Sequence, residues 1–216
     1  MTGNRAGHTM GLIHIDLFTT LDGVAQAPGG PEEDPEHDFK FGGWQAPLID
    51  ELVGDQVESG MTKMDALLLG RRTYDIFAGY WPAITEGFIA EHMNRVPKYV
   101  ASRQPRSLSW ANSVQLGPET ESEVRKIRDR HTNIHVIGSL DLVQTLIAHK
   151  LFDQLNLWVY PIVLGAGKKV FAHGAVPTSL RLIEPAITSP NGAVLLRYMR
   201  SLEHPQTGTM SERRAE

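Results

Sequence analysis

Short apolar runs alternate along this chain with segments in which apolar residues recur every three or four positions. The runs are typical of buried strands, and the spaced segments are typical of amphipathic helices. The pattern predicts strands at 12–18, 66–70, 98–103, 114–116, 134–138 and 155–164. It predicts helices at 47–63, 87–95, 117–130 and 139–150, and one more that begins at Arg71.

The C-terminal part of the pattern favours antiparallel strands. Segments 180–188 and 193–200 flank Ser189-Pro190-Asn191-Gly192, whose Asn-Gly pair is a hairpin signal. Together with the alternating strands and helices before them, they predict one α/β domain with a mainly parallel sheet and an antiparallel C-terminal portion. We place this domain at 11–202 and expect the polar tails, 1–10 and 203–216, to be disordered.

Residues 26–43 interrupt this alternation. They contain three prolines, four glycines and an acidic cluster, so we expect no long regular element there. A loop of this length inside a domain is usually functional or disordered. We interpret it as a lid over a ligand site, anchored by Phe39, Phe41 and Trp44; a solvated insertion is the alternative.

Composition narrows the function classes. The chain has 216 residues, a net charge of -4 and no cysteine. The charge argues against nonspecific binding to nucleic acid or to an anionic membrane, and the missing cysteines exclude disulfides and thiolate chemistry. No apolar run reaches the length of a membrane span, and the N-terminus lacks the apolar core of a signal peptide. We expect a soluble cytoplasmic protein.

The junction at Gly70 carries the clearest chemical signal. Four apolar residues lead into Gly70, and Arg71, Arg72 and Thr73 open the helix that follows. The N–H groups of a first helical turn have no partner inside the helix and lie at the positive end of its dipole, so they attract anions. A phosphate site is one interpretation. The other is a simple turn with solvated arginines.

Two further strand ends strengthen the phosphate interpretation, namely Ser102-Arg103 and Gly138-Ser139. Ligands of open α/β sheets bind outside the carboxyl ends of the strands. Three such ends suit a ligand with several phosphates, and an arginine near the ribose is typical of sites for NADP rather than NAD.

Other motifs are absent or ambiguous. Residues 165–169 lack the spacing of a P-loop, and no pattern of histidines or acids predicts a metal site. Of the many carboxylates, Asp22 follows the first strand and Asp50 begins the first helix. Either would serve as a proton donor if it faced the crevice, although an exposed position is the simpler interpretation.

Four segments, in this order, resemble the dihydrofolate reductase-like superfamily, and most of all the C-terminal reductase domain of bacterial riboflavin-biosynthesis deaminase-reductases. The resemblance spans about residues 11–200 and implies a three-layer α/β/α fold that binds NADPH. The segments are Leu21-Asp22-Gly23-Val24, Leu69 to Tyr74, Val136 to Ser139 and Val159 to Lys168. Two departures are Ser139, where the family often has a second glycine, and the absence of a fused deaminase domain.

The resemblance also implies residue roles. Gly70, Arg71, Arg72 and Thr73 would meet cofactor phosphates, and Ser102 and Arg103 the adenosine 2′-phosphate. Gly138, Ser139 and Leu140 would pass under the pyrophosphate and nicotinamide, Val24 and Ala25 would line the nicotinamide pocket, and Asp22 or Asp50 would be catalytic. We expect an NADPH-dependent reductase of a small heterocyclic or ribosylamino-pyrimidine substrate. A dihydrofolate or pterin reductase and an inactive nucleotide-binding module are the alternatives.

The assembly state is predicted from the apolar run at 155–164. A strand as apolar as this one would promote association if it lay at the edge of the sheet. We therefore expect a homodimer that binds a small-molecule substrate.

Overall fold

The computed structural model describes residues 10–209. Over this range nine strands form a single sheet, and five α-helices pack on its two faces. The strands are β1 (Leu12–Thr20), β2 (Ala66–Gly70), β3 (Lys98–Ala101), β4 (Ser113–Gln115), β5 (Asn133–Val136), β6 (Gln154–Tyr160), β7 (Leu180–Leu182), β8 (Ile187–Thr188) and β9 (Val194–Arg200). The helices are α1 (Glu51–Met61), α2 (Arg71–Tyr80), α3 (Phe88–Arg95), α4 (Thr120–Arg128) and α5 (Leu140–Ala148).

The strand order is β4-β3-β2-β5-β1-β6-β9-β7, and β8 pairs with β9. All neighbours from β4 to β6 run parallel, whereas β9 is antiparallel to β6, β7 and β8. This confirms the predicted α/β class, with its mainly parallel sheet and antiparallel C-terminal strands.

Strand β2 shows why there are three layers. Its side chains alternate between the two faces of the sheet, and all of them are buried. Ala66 and Leu68 belong to the apolar cluster that includes residues of α4 and α5, whereas Leu67 and Leu69 belong to the cluster that includes Tyr74 of α2. A strand covered on both sides must be apolar throughout, which is why this run is so easily recognised.

Strand β6 corrects two expectations. It ends at Tyr160 rather than Leu164, because Pro161 has no N–H to continue the ladder. It also lies between β1 and β9, inside the sheet. The argument for a homodimer from an apolar edge is therefore wrong, since the apolar residues of β6 are covered within the chain. The homodimer itself stays a prediction.

The other boundaries differ by smaller amounts. The strand expected at 180–188 is divided into β7 and β8, with Pro185 between them. The predicted hairpin is confirmed: Gly192, at φ 84°, donates its N–H to the carbonyl of Ser189 at 2.9 Å, and β8 and β9 are antiparallel.

The predicted tails lie partly outside the described residues. Residues 203–209 form no helix or strand, and the structure does not describe 1–9 or 210–216. In the described part of the chain, no helix has both the length and the hydropathy that crossing a bilayer requires.

The loop at 26–43 contains a single three-residue 3-10 turn, at Glu36–Asp38. Gln26 holds it together, because its side-chain amide donates to the carbonyls of Asp34 and Glu36 at 2.9 and 3.0 Å. Phe39 and Trp44 are buried as expected, whereas Phe41 is exposed. Two of the three proposed anchors therefore pack into the core.

Candidate active site

A cavity of about 850 Å³ opens at the carboxyl ends of the parallel strands. Gly70 of β2, Ala101 of β3 and Ile137 after β5 line it, and these strands are neighbours in the sheet. The loop at 26–43 forms another wall. The structure thereby brings together ten of the predicted site residues around one space: Ala25, Gly70, Arg71, Arg72, Thr73, Ser102, Arg103, Gly138, Ser139 and Leu140.

The ends of β2 and β5 approach each other closely at the floor of the cavity. The N–H of Gly70 donates to the carbonyl of Gly138 at 3.1 Å. A Cβ on Gly70 would lie 2.1 Å from Oγ of Ser139, and a Cβ on Gly138 would lie 2.6 Å from Oγ1 of Thr73. Because neither position has room for a side chain, both glycines are required for this contact.

Two helices begin at this contact. Gly70 is the N-cap of α2 and Ser139 is the N-cap of α5, and neither cap makes a side-chain hydrogen bond to its helix. Both residues line the cavity. The first-turn N–H groups of two helices are thus available to an anion in one place, and the two dipoles add to the attraction.

Three arginines line the cavity, but they are not equivalent. Arg71 and Arg103 are exposed, and among residues 10–209 neither has an ion-pair partner. Arg72 is engaged with two carboxylates: its Nη1 contacts Asp34 and lies 2.9 Å from Oε2 of Glu36. Arg71 and Arg103 are therefore better placed than Arg72 to bind an added phosphate.

Lys168 completes a cluster of four charges with Arg72, Asp34 and Glu36. Its Nζ lies 2.6 Å from Oδ2 of Asp34 and also contacts Glu36. Burial alone would raise the pKa of Asp34, but the hydrogen bonds and charges of Lys168 and Arg72 lower it overall. The cluster ties the loop to the start of α2 and to the turn after β6, and all four residues line the cavity.

The three remaining predicted site residues, Asp22, Asp50 and Val24, do not line the cavity. Asp22 accepts from the Thr20 hydroxyl at 2.6 Å and from the backbone N–H of Gly165 at 2.9 Å. The Thr20 bond is the main reason that its pKa is lowered to about 2. The carboxylate therefore fastens a turn and does not line the cavity.

Asp50 caps α1. It accepts from the N–H of Val53 and from the N–H of Asn191, both at 3.0 Å, and the pKa is lowered by these bonds despite the opposing effect of burial. Val24 is fully buried and packs with Phe39 and Trp44. Neither side chain lines the cavity, so Asp50 does not meet the condition, facing the crevice, under which it would serve as a proton donor.

Asp16 is a cavity residue that the sequence analysis missed. It lies in the middle of β1, and its carboxylate accepts from Nδ1 of His135 and from Nδ2 of Asn156, both at 2.7 Å. Burial raises its pKa, but the attraction and hydrogen bond of His135 and the bond from Asn156 outweigh burial, so the net direction is downward. The signal was available: a central parallel strand is normally apolar, yet β1 carries His14 and Asp16.

The donor sets around the cavity suit anions and heterocycles better than metals. Across residues 10–209, no group of three or more His, Asp or Glu side chains is arranged to hold a metal ion. The cavity is instead lined by two helix N-termini, by Asp16, and by two arginines that have no ion-pair partner within the described part of the chain.

A model of the RibD C-terminal domain family matches residues 12–192. The chain belongs to this family. Uncharacterized protein YyaP of Bacillus subtilis (strain 168) is 25% identical over 191 residues, which are 86% of this chain and 93% of the relative. Membership of this family supports an oxidoreductase function of the kind found in riboflavin biosynthesis.

Solved structures show the same fold. A pyrimidine reductase-like protein from Corynebacterium diphtheriae has a TM-score of 0.62 at 15% identity, with 91% of this chain and 94% of that chain covered. Dihydrofolate reductase from Enterococcus faecalis, complexed with NADP(H) and RAB-propyl, has a TM-score of 0.55 at 14% identity, with 88% and 97% covered. The predicted three-layer, dihydrofolate reductase-like architecture is therefore confirmed.

Proposed function

We propose that this protein is an NADPH-dependent reductase that transfers hydride to a small heterocycle, with ribosylamino-pyrimidines as the first class to test and dihydropterins as the second. One observation carries the proposal: two helix N-termini line one cavity at the carboxyl edge of the sheet, together with Arg71 and Arg103, which have no ion-pair partner among residues 10–209. This is the arrangement that a phosphorylated dinucleotide requires.

The residues present fit this cofactor. The floor between Gly70 and Ser139 has no space for a further side chain, so backbone N–H groups at the start of α2 and α5 would hold the pyrophosphate. Arg103 and Ser102 would hold the 2′-phosphate, and Arg71 would add charge at the pyrophosphate. A cavity of about 850 Å³ is near the upper end of the usual range for ligand sites, about 300–1,000 Å³. When bound, NADPH supplies the hydride.

The chain itself would orient the substrate and exclude water. Leu17, Ala25 and Ile137 give the cavity an apolar wall next to Asp16. Residues of the loop at 26–43 line the same cavity, and the loop is held down by the charge cluster of Arg72 and Lys168. An apolar wall that keeps water out strengthens the electrostatic interactions made beside it.

Glu33 is our candidate for the proton donor. It lines the cavity, and burial, with a smaller effect of the Asp34 charge, raises the pKa of its carboxyl against the hydrogen bonds from Gly29 and Gly30. By contrast, the pKa values of Asp16, Asp34 and Glu36, which also line the cavity, are lowered. A carboxyl with a raised pKa retains its proton nearer to neutral pH, as a general acid must.

The test is a fluorescence titration of the purified protein with NADPH and with NADH, repeated for Arg71→Ala and Arg103→Ala. Arg125→Ala is the matched control, because this arginine lies on α4 and pairs with Glu121 on the surface. We expect tight NADPH binding, weaker NADH binding, and a loss of about tenfold or more in the two cavity variants only. Arg103→Ala should also remove the preference for NADPH over NADH.

Two outcomes would change the conclusion. If neither nucleotide binds, the reductase proposal is wrong and the cavity serves another ligand. If NADPH binds but is not oxidised with any ribosylamino-pyrimidine or dihydropterin, the chain is better described as a nucleotide-binding module.

A further inference from the structure

Three helices each contribute a pair of apolar side chains to the wall of the main cavity. The two members of each pair are four residues apart, so they lie on one face of the helix, one turn from each other. The pairs are Val57 and Met61 of α1, Phe77 and Trp81 at the end of α2, and Ile89 and Met93 of α3. We call the part of the cavity that these six residues line the apolar lobe.

The apolar lobe is one continuous surface. Helix α3 contacts both α1 and the turn that begins at Trp81. Four of the lining residues, Met61, Phe77, Trp81 and Ile89, pack against the apolar cluster that contains Met93. The rings of Phe77 and Trp81 meet edge to face, with centroids 6.2 Å apart. Met93 is buried and the other five side chains are partly exposed, so a ligand that removed them from water would be stabilised.

The three helices bring no cation to the apolar lobe within the described part of the chain. Helix α1 contains no Lys or Arg, and α2 has only Arg71 and Arg72, both in its first turn. Helix α3 has only Arg95, which does not line the cavity and instead contacts Nδ1 of His92. A negatively charged group in the lobe would therefore meet no opposite charge from these helices.

The cations that line the rest of the cavity already have partners or a proposed role. Among residues 10–209, these cations are Arg71, Arg72, Arg103 and Lys168. Arg72 and Lys168 are held in the charge cluster with two carboxylates of the loop at 26–43. Arg71 and Arg103 are the two that the proposed function assigns to the phosphates of NADPH. A phosphate on the substrate would have to compete with the cofactor for them.

The helix ends near the apolar lobe also disfavour an anion. Helix α1 ends at Met61 and α2 ends at Tyr80, next to Trp81, so both bring the negative end of a helix dipole to the lobe. Helix α3 begins at Phe88, but neither Gly87 nor Phe88 lines the cavity. A phosphate placed here would lose its hydration without gaining the N–H donors of a helix start.

We propose that the apolar lobe is the subsite that selects the substrate, and that it takes an uncharged apolar substituent of the heterocycle rather than a phosphate. This inference rests on the proposed function and narrows its substrate class, because it disfavours a phosphorylated ribosyl group. Phe77 and Trp81 supply aromatic contact area, and the flexible side chains of Met61 and Met93 adapt the lobe to the shape of the substituent.

The test compares 6-(3,3-dimethylbutylamino)uracil with 6-(2-phosphonoethylamino)uracil by calorimetry, with NADP+ present so that Arg71 and Arg103 are occupied. The compounds share a ring and a linker and end in tetrahedral groups of similar size, tert-butyl in the first and phosphonate in the second. We expect the tert-butyl compound to bind about 10- to 100-fold more tightly, since each buried methylene contributes about a factor of four. Equal binding, tighter binding of the phosphonate, or no binding of the tert-butyl compound would overturn the proposal.

Variants then locate the preference. Phe77→Ala should bind the tert-butyl compound about tenfold more weakly and leave the affinity for 6-methylaminouracil, which lacks the large substituent, unchanged. Phe88→Ala is the matched control, because Phe88 is an exposed phenylalanine of α3 that does not line the cavity. Urea unfolding checks that both variants are folded. Full affinity of Phe77→Ala for the tert-butyl compound would also overturn the proposal.

A charge placed in the apolar lobe provides the converse test. Ile89→Lys adds a cation at a partly exposed position that lines the cavity. It should reduce the preference for the tert-butyl compound over the phosphonate by about tenfold or more, because a phosphonate gains a hydrogen bond to a charged group. An unchanged preference would show that the substituent lies elsewhere, and the proposal would be wrong.

The same proteins separate this inference from the proposed function. Phe77→Ala should bind NADPH as the unaltered protein does, because Phe77 lies beyond the first turn of α2. If the unaltered protein binds no NADPH but prefers the tert-butyl compound to 6-methylaminouracil through Phe77, the reductase is wrong and the apolar lobe stands. If NADPH binds and the phosphonate is preferred, the apolar lobe is wrong and the reductase stands.

Discussion

Arg72 Nη1 lies 2.9 Å from Oε2 of Glu36, so the first turn of α2 is joined to the loop at 26–43. The same nitrogen contacts Asp34, whose second oxygen is 2.6 Å from Nζ of Lys168. The sequence analysis predicted Arg72 as a phosphate ligand, but in the structure its ion pairs hold the loop at 26–43 against α2. Its neighbour Arg71 has no carboxylate partner among the described residues, so its guanidinium is available to bind an anion.

Arg72→Met should loosen the loop, because Asp34 and Glu36 would each lose one of their two cations. We expect chymotrypsin to cleave at Phe39 or Phe41 several times faster than in the unaltered protein. Arg71→Met, one position earlier, should leave the cleavage rate unchanged and weaken NADPH binding more than Arg72→Met does. Equal cleavage rates in all three proteins would contradict the fastening role.

Gly70→Ala should disrupt the floor of the cavity. The new Cβ would lie 2.1 Å from Oγ and 2.9 Å from the backbone N of Ser139, so the start of α5 must move. We expect a loss of about 1–3 kcal/mol in the free energy of unfolding, measured with urea, and weaker NADPH binding.

Gly79→Ala is the control for that change. Gly79 lies in α2, the helix that follows Gly70, but a Cβ added at Gly79 would meet no atom within 4 Å. Replacing a glycine inside a helix should raise the free energy of unfolding by about 0.5–1 kcal/mol and leave NADPH binding intact. If both alanine variants behaved alike, close packing at Gly70 would not be the cause.

Glu33→Gln should lower kcat without changing the affinity for NADPH, because a glutamine has the same size but no acidic proton. We expect a loss of about 10²- to 10⁴-fold on the substrate that a screen identifies, together with loss of the basic limb of the pH–rate profile. Glu32→Gln alters the adjacent, exposed carboxylate and should change neither quantity. Full activity in Glu33→Gln would assign proton delivery to another group or to water.

Asp22→Asn should reduce stability rather than catalysis. The pKa of Asp22 is lowered to about 2 in the folded protein, chiefly by the Thr20 hydroxyl, so the folded state favours the charged form. Its contribution is therefore fully present above the ordinary pKa near 3.8 and is lost as the pH falls towards 2. Thermal unfolding at pH 7 should occur at a lower temperature in the variant, and the difference should shrink below pH 4. A constant difference would contradict the role of the charge.

Local sequence patterns were sufficient to predict most of the strands, the helix starts and the residues around the cavity. The run from Ala66 to Arg71 identifies a buried strand, a turn and a helix start, because all three depend on residues close together in sequence. The same holds for Gly138 and Ser139. Once the strands were taken as parallel, their carboxyl ends had to meet at one edge, and the structure indeed places ten predicted residues around one cavity.

Partners distant in sequence were not predictable in this way. The position of β6 inside the sheet depends on its pairing with β9, which no local pattern encodes. Asp22 and Asp50 were chosen because they stand near element ends, yet their carboxylates are used by the backbone N–H groups of Gly165 and Asn191. The sequence alone does not distinguish a carboxylate that stabilises a turn from one that acts in an active site, because the difference depends on the hydrogen-bond partners of the carboxylate.

By itself, the sequence of this protein determined the order of strands and helices and the α/β class, and it predicted an anion site at the strand ends, since these follow from periodicity, glycine positions and helix starts. Only the tertiary structure decided which charges are free. Packing brings Asp34 and Glu36 onto Arg72 and Lys168, and it brings His135 and Asn156 onto Asp16. Charge neutralisation depends on distances of a few ångströms between segments far apart in the chain, and such distances are set by the fold as a whole.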